Sequence, residues 1–144
     1  MNESAPSVRL VKEIPADPRR VFRAWLDPLA LQRFMCPMQG ASVPKAETDA
    51  RVGGKFLVVM RIGEKDLPHH GEYLEIVPYE RLVFTWLSHR ASGNSRVTLT
   101  FEAIASGTRL TLEHRGLDDD SARRDHEHGW TMILACLASD VPGG

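Results

Sequence analysis

One proline-free stretch, Ala122 to Val141, is the only part of this sequence long enough for a helix of several turns, and everything before it is cut into short runs. Its inward stripe is His126, Trp130, Ile133, Leu134 and Leu137, at i, i+4, i+7, i+8 and i+11, which is one face of an α-helix. Asp118, Asp119 and Asp120 precede it, and acids suit a helix N-terminus, where the backbone dipole is positive. Pro142-Gly143-Gly144 ends it. A single long amphipathic helix must bury its stripe against something, and the short runs predict what that is.

Val8 to Ile14 is rich in β-formers and stops at Pro15, which predicts a first strand. Asp17-Pro18 and Asp27-Pro28 each open a short helix, with the aspartate as cap and the proline at the first helical position. Val21, Phe22, Trp25 and Leu26 make the apolar face of the first, and Leu29, Leu31 and Phe34 that of the second. One strand is expected near Lys45 to Ala50, followed by a bend at Gly53-Gly54. Further strands are expected at Phe56 to Ile62, Glu72 to Val77, Arg81 to Leu87, Arg96 to Ile104 and Arg109 to Glu113, the last to pair with the first strand. Val97, Leu99 and Phe101 alternate with Thr98, Thr100 and Glu102, while Leu110, Leu112 and His114 oppose Arg109, Thr111 and Glu113. Leu82, Phe84 and Trp86 alternate likewise with Val83 and Thr85. One face of this meander is therefore dry and the other wet. The fold class is α+β: a curved antiparallel β-sheet wrapped around a long C-terminal helix, with two short helices after the first strand.

The 144 residues suit one domain, spanning 1–144 with a core over about 8–141, and can bury a real core without staples. Lys plus Arg (18) nearly balance Asp plus Glu (19), so no strong field draws the chain to nucleic acid or to an anionic membrane. Met1 to Ser7 has no apolar signal segment, no run approaches membrane-spanning length, and Cys36 and Cys136 form no CxxC; reduced thiols in a cytoplasmic protein are the expectation.

The motifs resemble a known family. They are Glu13-Ile14-Pro15-Ala16-Asp17-Pro18 with Val21-Phe22 and Ala24-Trp25, then Asp49-Ala50-Arg51-Val52-Gly53-Gly54-Lys55-Phe56. Gly71-Glu72-Tyr73-Leu74-Glu75-Ile76-Val77-Pro78 runs into Arg81-Leu82-Val83-Phe84-Thr85-Trp86, and His126-Glu127-His128-Gly129-Trp130 comes last. Taken in order, the set is similar to the bacterial homologues of the activator of the ninety-kilodalton heat-shock protein ATPase, within the SRPBCC, or START-like (birch-pollen-allergen-like), superfamily. The resemblance implies the helix-grip fold. It does not imply an activity, because the superfamily holds lipid carriers, hormone receptors and cyclases alike.

A cavity between sheet and long helix is the expected site, with Trp25, Phe34, Met38, Phe56, Met60, Tyr73, Glu75, Phe84, Trp86, His114, His126 and Trp130 as its candidate residues. Aromatic and methionine side chains there would line a soft pocket, and they equally fill ordinary cores. For His126 and Trp130 the favoured reading is core packing, with the histidine satisfied by a backbone carbonyl. Gly129 beside them lowers helix propensity by roughly 1 kcal/mol and is read as letting sheet, loop or ligand come close. His114 could bind a ligand or act as a general base; the favoured reading places it solvated at the cavity mouth. Glu75 shares strand parity with Tyr73 and is expected exposed or ion-paired, with Arg51 and Arg61 as partners.

His126 and His128 are two residues apart on a helix and diverge, His69 and His70 are adjacent on a strand and diverge, and no Cys/His cluster has zinc spacing. No metal, phosphate loop, nucleophile elbow or cofactor is expected. The leading expectation is a non-catalytic domain binding a small apolar or amphipathic molecule. An enzyme of cyclase, dehydratase or hydrolase type would need His114, His126, Glu75 or Tyr73 to converge in acid/base roles. A protein-interaction module comes third: the family name points to a heat-shock ATPase, but the eukaryotic activator carries a further N-terminal domain that is not found here, so that partner is disfavoured. A homodimer is plausible on general frequency alone.

Overall fold

In the computed structural model, residues 7–141 are described. The polar Met1 to Pro6 and the terminal Pro142-Gly143-Gly144 lie outside them.

The elements follow the expected order. β1 (Val8–Ile14) is followed by α1 (Pro18–Ala24) and α2 (Pro28–Phe34), then β2 (Ser42–Thr48), β3 (Lys55–Ile62), β4 (Lys65–Val77), β5 (Arg81–Thr85), β6 (Arg96–Ile104), β7 (Gly107–Arg115) and α3 (Asp120–Asp140). Capping explains where the helices start. Asp17 accepts from the Arg20 amide at 3.0 Å, Asp27 from the Leu29 amide at 3.0 Å, and Asp119 from the Ala122 amide at 2.8 Å. Pro18 and Pro28 stand in the first turns of α1 and α2.

The seven strands form one antiparallel sheet in the order β1-β7-β6-β5-β4-β3-β2. β7 pairs with β1 along its length, from Val8 opposite His114 to Ile14 opposite Thr108. The sheet curls as a half-barrel around α3, whose buried side is Ala122, Trp130, Ile133, Leu134 and Leu137. Leu99, Leu110 and Leu112 meet it from the sheet, while Val21, Phe22, Trp25, Leu31 and Phe34 close one end from α1 and α2. This is the helix-grip architecture, in class α+β. No helix among the described residues is long and apolar enough to cross a membrane.

Four strand expectations need correction. β2 starts at Ser42, three residues before the expected Lys45, with an irregularity between Ser42 and Lys45 that absorbs Pro44. β4 begins at Lys65, seven residues before the expected Glu72, and is one strand through Pro68 and the expected strand residues His69 and His70. Proline is tolerated because the His70 amide points to the β5 side, where it donates to Leu87, and two residues earlier that side has no partner strand. β5 ends at Thr85; beyond it only isolated bridges remain, His70 with Leu87 and Ser88 with Ala91. Val83, expected on the wet face, is buried between its register neighbours Glu75 and Thr98.

The correction that matters for function lies in β4. Tyr73 faces Phe84, but Glu75 faces Val83, so Leu74 is an extra residue in the ladder. Such a bulge reverses the alternation. Tyr73 is buried inside, and Glu75 emerges on the outer face, where Arg81 pairs with it at 2.8 Å. Arg51 and Arg61 are not its partners; they pair with Asp49 and Asp66.

Candidate functional site

Where β5 loosens, the grip of sheet on helix opens into a cleft of about 420 Å³. Trp86, Trp130 and Ile133 make its floor, and Met60, Ile62 and Leu67 from the β3–β4 hairpin make one wall. Pro37 and Met38, on the exit from α2, form the opposite rim. Polar groups gather at one end: His69 on β4, His89 and Arg90 after β5, and Asp125 and His126 on α3; His128 lines the cleft apart from them. Arg90 crosses from loop to helix, donating to Asp125 at 2.5 Å and to Ser121 at 3.2 Å. The interior is thus largely apolar, with most of its polar groups at one end.

The floor is held by a buried polar chain. The Trp130 indole N–H donates to His114 Nδ1 at 3.0 Å, and His114 Nε2 lies 2.7 Å from Ser95 Oγ. An indole nitrogen only donates, so Nδ1 accepts and the proton of the neutral ring sits on Nε2, which donates to Ser95. His114 has no exposed surface, and burial, helped by His126 alongside, lowers its pKa to about 3. The expectation of a solvated residue at the mouth is corrected: the inward row carries it to the center, where Ser95 and Trp130 take both nitrogens. His114 holds Trp130 in place and has no lone pair free for a base.

His126 packs edge-to-face on His114, with ring centroids 4.8 Å apart, and its Nδ1 lies 2.8 Å from the Ala122 carbonyl. A carbonyl only accepts, so Nδ1 carries the proton and Nε2 of the neutral ring is left as an acceptor. Burial lowers its pKa. His69 is tied in the same manner to the Leu67 carbonyl at 3.0 Å, stacks on Trp86 with centroids 5.0 Å apart, and is lowered by burial to about 4. Neutral rings suit the wall of an apolar cleft.

The twelve residues expected at the site divide into three groups. Met38, Met60, Trp86, His126 and Trp130 line the cleft. Trp25, Phe56, Tyr73 and Phe84 lie behind it around a separate void of about 10 Å³, while Phe34 is fully buried against Trp25 and His114 sits beneath Trp130. Glu75 is outside. Of the four residues weighed for acid/base chemistry, His114 and His126 meet, and Glu75 and Tyr73 do not join them. His114 is locked, Glu75 faces away, and the Tyr73 hydroxyl is buried behind the floor with its pKa pushed up, first by burial and then by Asp49. Among the described residues no cluster of His, Cys, Asp or Glu is built to hold a metal. Cys36 and Cys136 are free, and burial raises the Cys36 thiol, with Cys136 adding to it.

Sequence reasoning missed His69, His89, Arg90 and Asp125. His89 and Arg90 sit in a loop, where no periodicity marks direction. His69 is weighed in the sequence only as a metal ligand, and nothing local shows that its ring stacks on Trp86. Gly129 faces the α2 exit, where an added Cβ would lie 3.4 Å from Pro37 Cβ, an ordinary contact. A loop does come close, but it leaves room for a methyl. Gly129→Ala is therefore expected to stabilise the fold by about 0.5–1 kcal/mol through helix propensity. A lowered urea midpoint would show that the gap is already filled.

The profile of the family described as Activator of Hsp90 ATPase homolog 1-like protein matches residues 15–141. A Chromobacterium violaceum protein of solved structure is 31% identical, with 94% of this chain and 96% of that chain covered and a TM-score of 0.84. The AHSA1 protein of Silicibacter pomeroyi is also 31% identical, covering 94% and 97%, with a TM-score of 0.79. An AHSA1-like protein of Aeromonas hydrophila, at 20% identity, shares the fold over 95% and 92% with a TM-score of 0.80. No curated protein matches the sequence.

Proposed function

Since the chain belongs to the Activator of Hsp90 ATPase homolog 1-like family, whose helix-grip fold serves many roles, we propose that it is a binding domain for a small, largely apolar molecule held in the cleft between sheet and α3. One observation carries the reading: a cleft of about 420 Å³ with an aromatic floor and a cluster of polar groups in its lining. Ligand sites are typically roughly 300–1,000 Å³, mostly apolar, with a few polar groups that orient the ligand. His126 Nε2, the Arg90–Asp125 pair and the nearby His89 are such groups. The scatter of His114, Glu75 and Tyr73 favours binding over catalysis.

Leu67 offers a clean test, because it is a half-buried wall residue rather than core. Titration with 8-anilinonaphthalene-1-sulfonate is expected to quench or shift the fluorescence of Trp86 and Trp130 and to raise Tm. Leu67→Trp should fill the cleft and weaken binding at least about tenfold, which is about 1.4 kcal/mol, with little change in the Tm of the free protein. Equal binding by both proteins would move the site elsewhere; no binding by either would remove the reading.

A further inference from the structure

Trp86 has a void on each side. One face of its surroundings is the cleft; behind it lies the separate space of about 10 Å³, walled by Trp25, Leu31, Met35, Phe56 and Tyr73. Trp25 is 3% exposed, and its indole nitrogen is buried with no hydrogen-bond partner. An indole N–H can only donate, and leaving a buried donor unsatisfied costs about 1–3 kcal/mol. Trp130, its neighbour at 6.3 Å between ring centroids, has its N–H satisfied by His114. A second orphan, Arg90 Nε, belongs to a residue of the cleft, and the Trp25 nitrogen is the one on a residue that lines the space behind Trp86.

The space is about the size of one water. Three of its lining residues carry a polar side-chain N or O, Trp25, Tyr73 and Trp86, and the two indole nitrogens can only donate. An acceptor suits such a space, and a carbonyl oxygen on an apolar molecule supplies one. Trp86, which lines both spaces, stands one residue past the end of the β5 ladder, and its amide still donates to the Ser95 carbonyl at 3.1 Å. Its backbone is held, so a shift that joins the two spaces is one of its side chain.

We propose, building on the reading that the cleft binds a small apolar molecule, that Trp86 divides one site into two compartments and that the Trp25 indole N–H recognises a carbonyl oxygen at the ligand's deep end. The ligand class is then an uncharged, largely apolar ketone, ester or lactone. Its body lies on Trp130, Met60 and Ile133, and its oxygen reaches past a displaced Trp86.

The test uses the full chain and a matched pair of probes, benzophenone and diphenylmethane, which differ in the carbonyl. The sequence has three tryptophans, so the indole N–H region of a ¹H–¹⁵N spectrum holds three signals, assigned through single Trp→Phe variants. Benzophenone is expected to move the Trp25 signal downfield and to bind about tenfold more tightly than diphenylmethane, and Trp25→Phe should erase that preference. Equal affinities, with only the Trp86 and Trp130 signals perturbed, would leave the cleft reading standing and overturn the deep compartment. A Trp25 N–H that exchanges with a bound water before and after benzophenone would overturn it as well. Failure of both probes to bind would count against both readings. The wild-type comparison decides the matter even if Trp25→Phe does not fold.

Discussion

Lowering the pH from 6.5 toward 4.5 will destabilise the protein by about 1.4 kcal/mol per pH unit for each of two histidines, His114 and His69. Unfolded, both rings take a proton near pH 6.5. Folded, burial holds His114 at about 3 and His69 at about 4. Between those values the unfolded chain binds the extra protons, so stability rises with pH through the window and levels off above 6.5. Charging His114 would also destroy its acceptor for the Trp130 N–H, so the fold has no low-cost way to admit the proton. The measurement is the urea midpoint at a series of pH values. His114→Gln keeps an acceptor and a donor but cannot titrate here; whatever its stability at neutral pH, its midpoint should fall less steeply than that of the wild type, with His69 and His126 supplying the slope that remains. If the variant's slope equals the wild-type slope, His114 is not held neutral.

Gly71→Ala will cost about 3 kcal/mol or more, at the upper end of overpacking effects. A Cβ at this position would lie 1.9 Å from the Thr85 carbonyl oxygen and 2.8 Å from a Phe56 ring carbon. The first obstacle is backbone, so β4 and β5 must separate to admit the methyl. That separation would break the adjacent His70–Leu87 bridge, which sets Trp86 and His69 at the cleft. Urea unfolding should show the loss, and anilinonaphthalene binding should weaken with it. A variant within 1 kcal/mol of wild type would mean that the strands do not approach this closely. Gly129→Ala is the control, since it adds the same methyl on the opposite wall with the opposite expected sign.

The parts of the fold that announce themselves by period were legible in the sequence. The alternations in β6 and β7 and the i, i+4, i+7 stripe of α3 follow from burying one face. Asp17, Asp27 and Asp119 mark helix starts by chemistry that works locally. The bulge at Leu74 left no such mark, because an extra residue of ordinary composition changes parity without changing pattern. Parity alone therefore sets Glu75 beside Tyr73, while its charge, which favours exposure or an ion pair, agrees with where the structure puts it. His114 was placed on the correct row but given the wrong surroundings. Its partners, Ser95 and Trp130, come from another strand and from the helix, and no local rule brings them to its two nitrogens. His89 and Arg90 were invisible for the same reason: a loop's direction is set by what it packs against.

The pairing of β1 with β7 has a consequence for how the chain is made. β1 leaves the ribosome first, yet its partner arrives about a hundred residues later, since Val8 lies opposite His114. Until then β1 has no ladder, and α3, which packs against β1, is not yet synthesised. Sequence-distant pairing slows folding, because the long loop must close before the contact returns any energy. The middle hairpins from β2 to β6 join neighbours in sequence and can assemble during synthesis. The grip itself must form late, after β7 and α3 have been made, and a nascent chain stalled before residue 107 would be expected to remain sensitive to protease at β1.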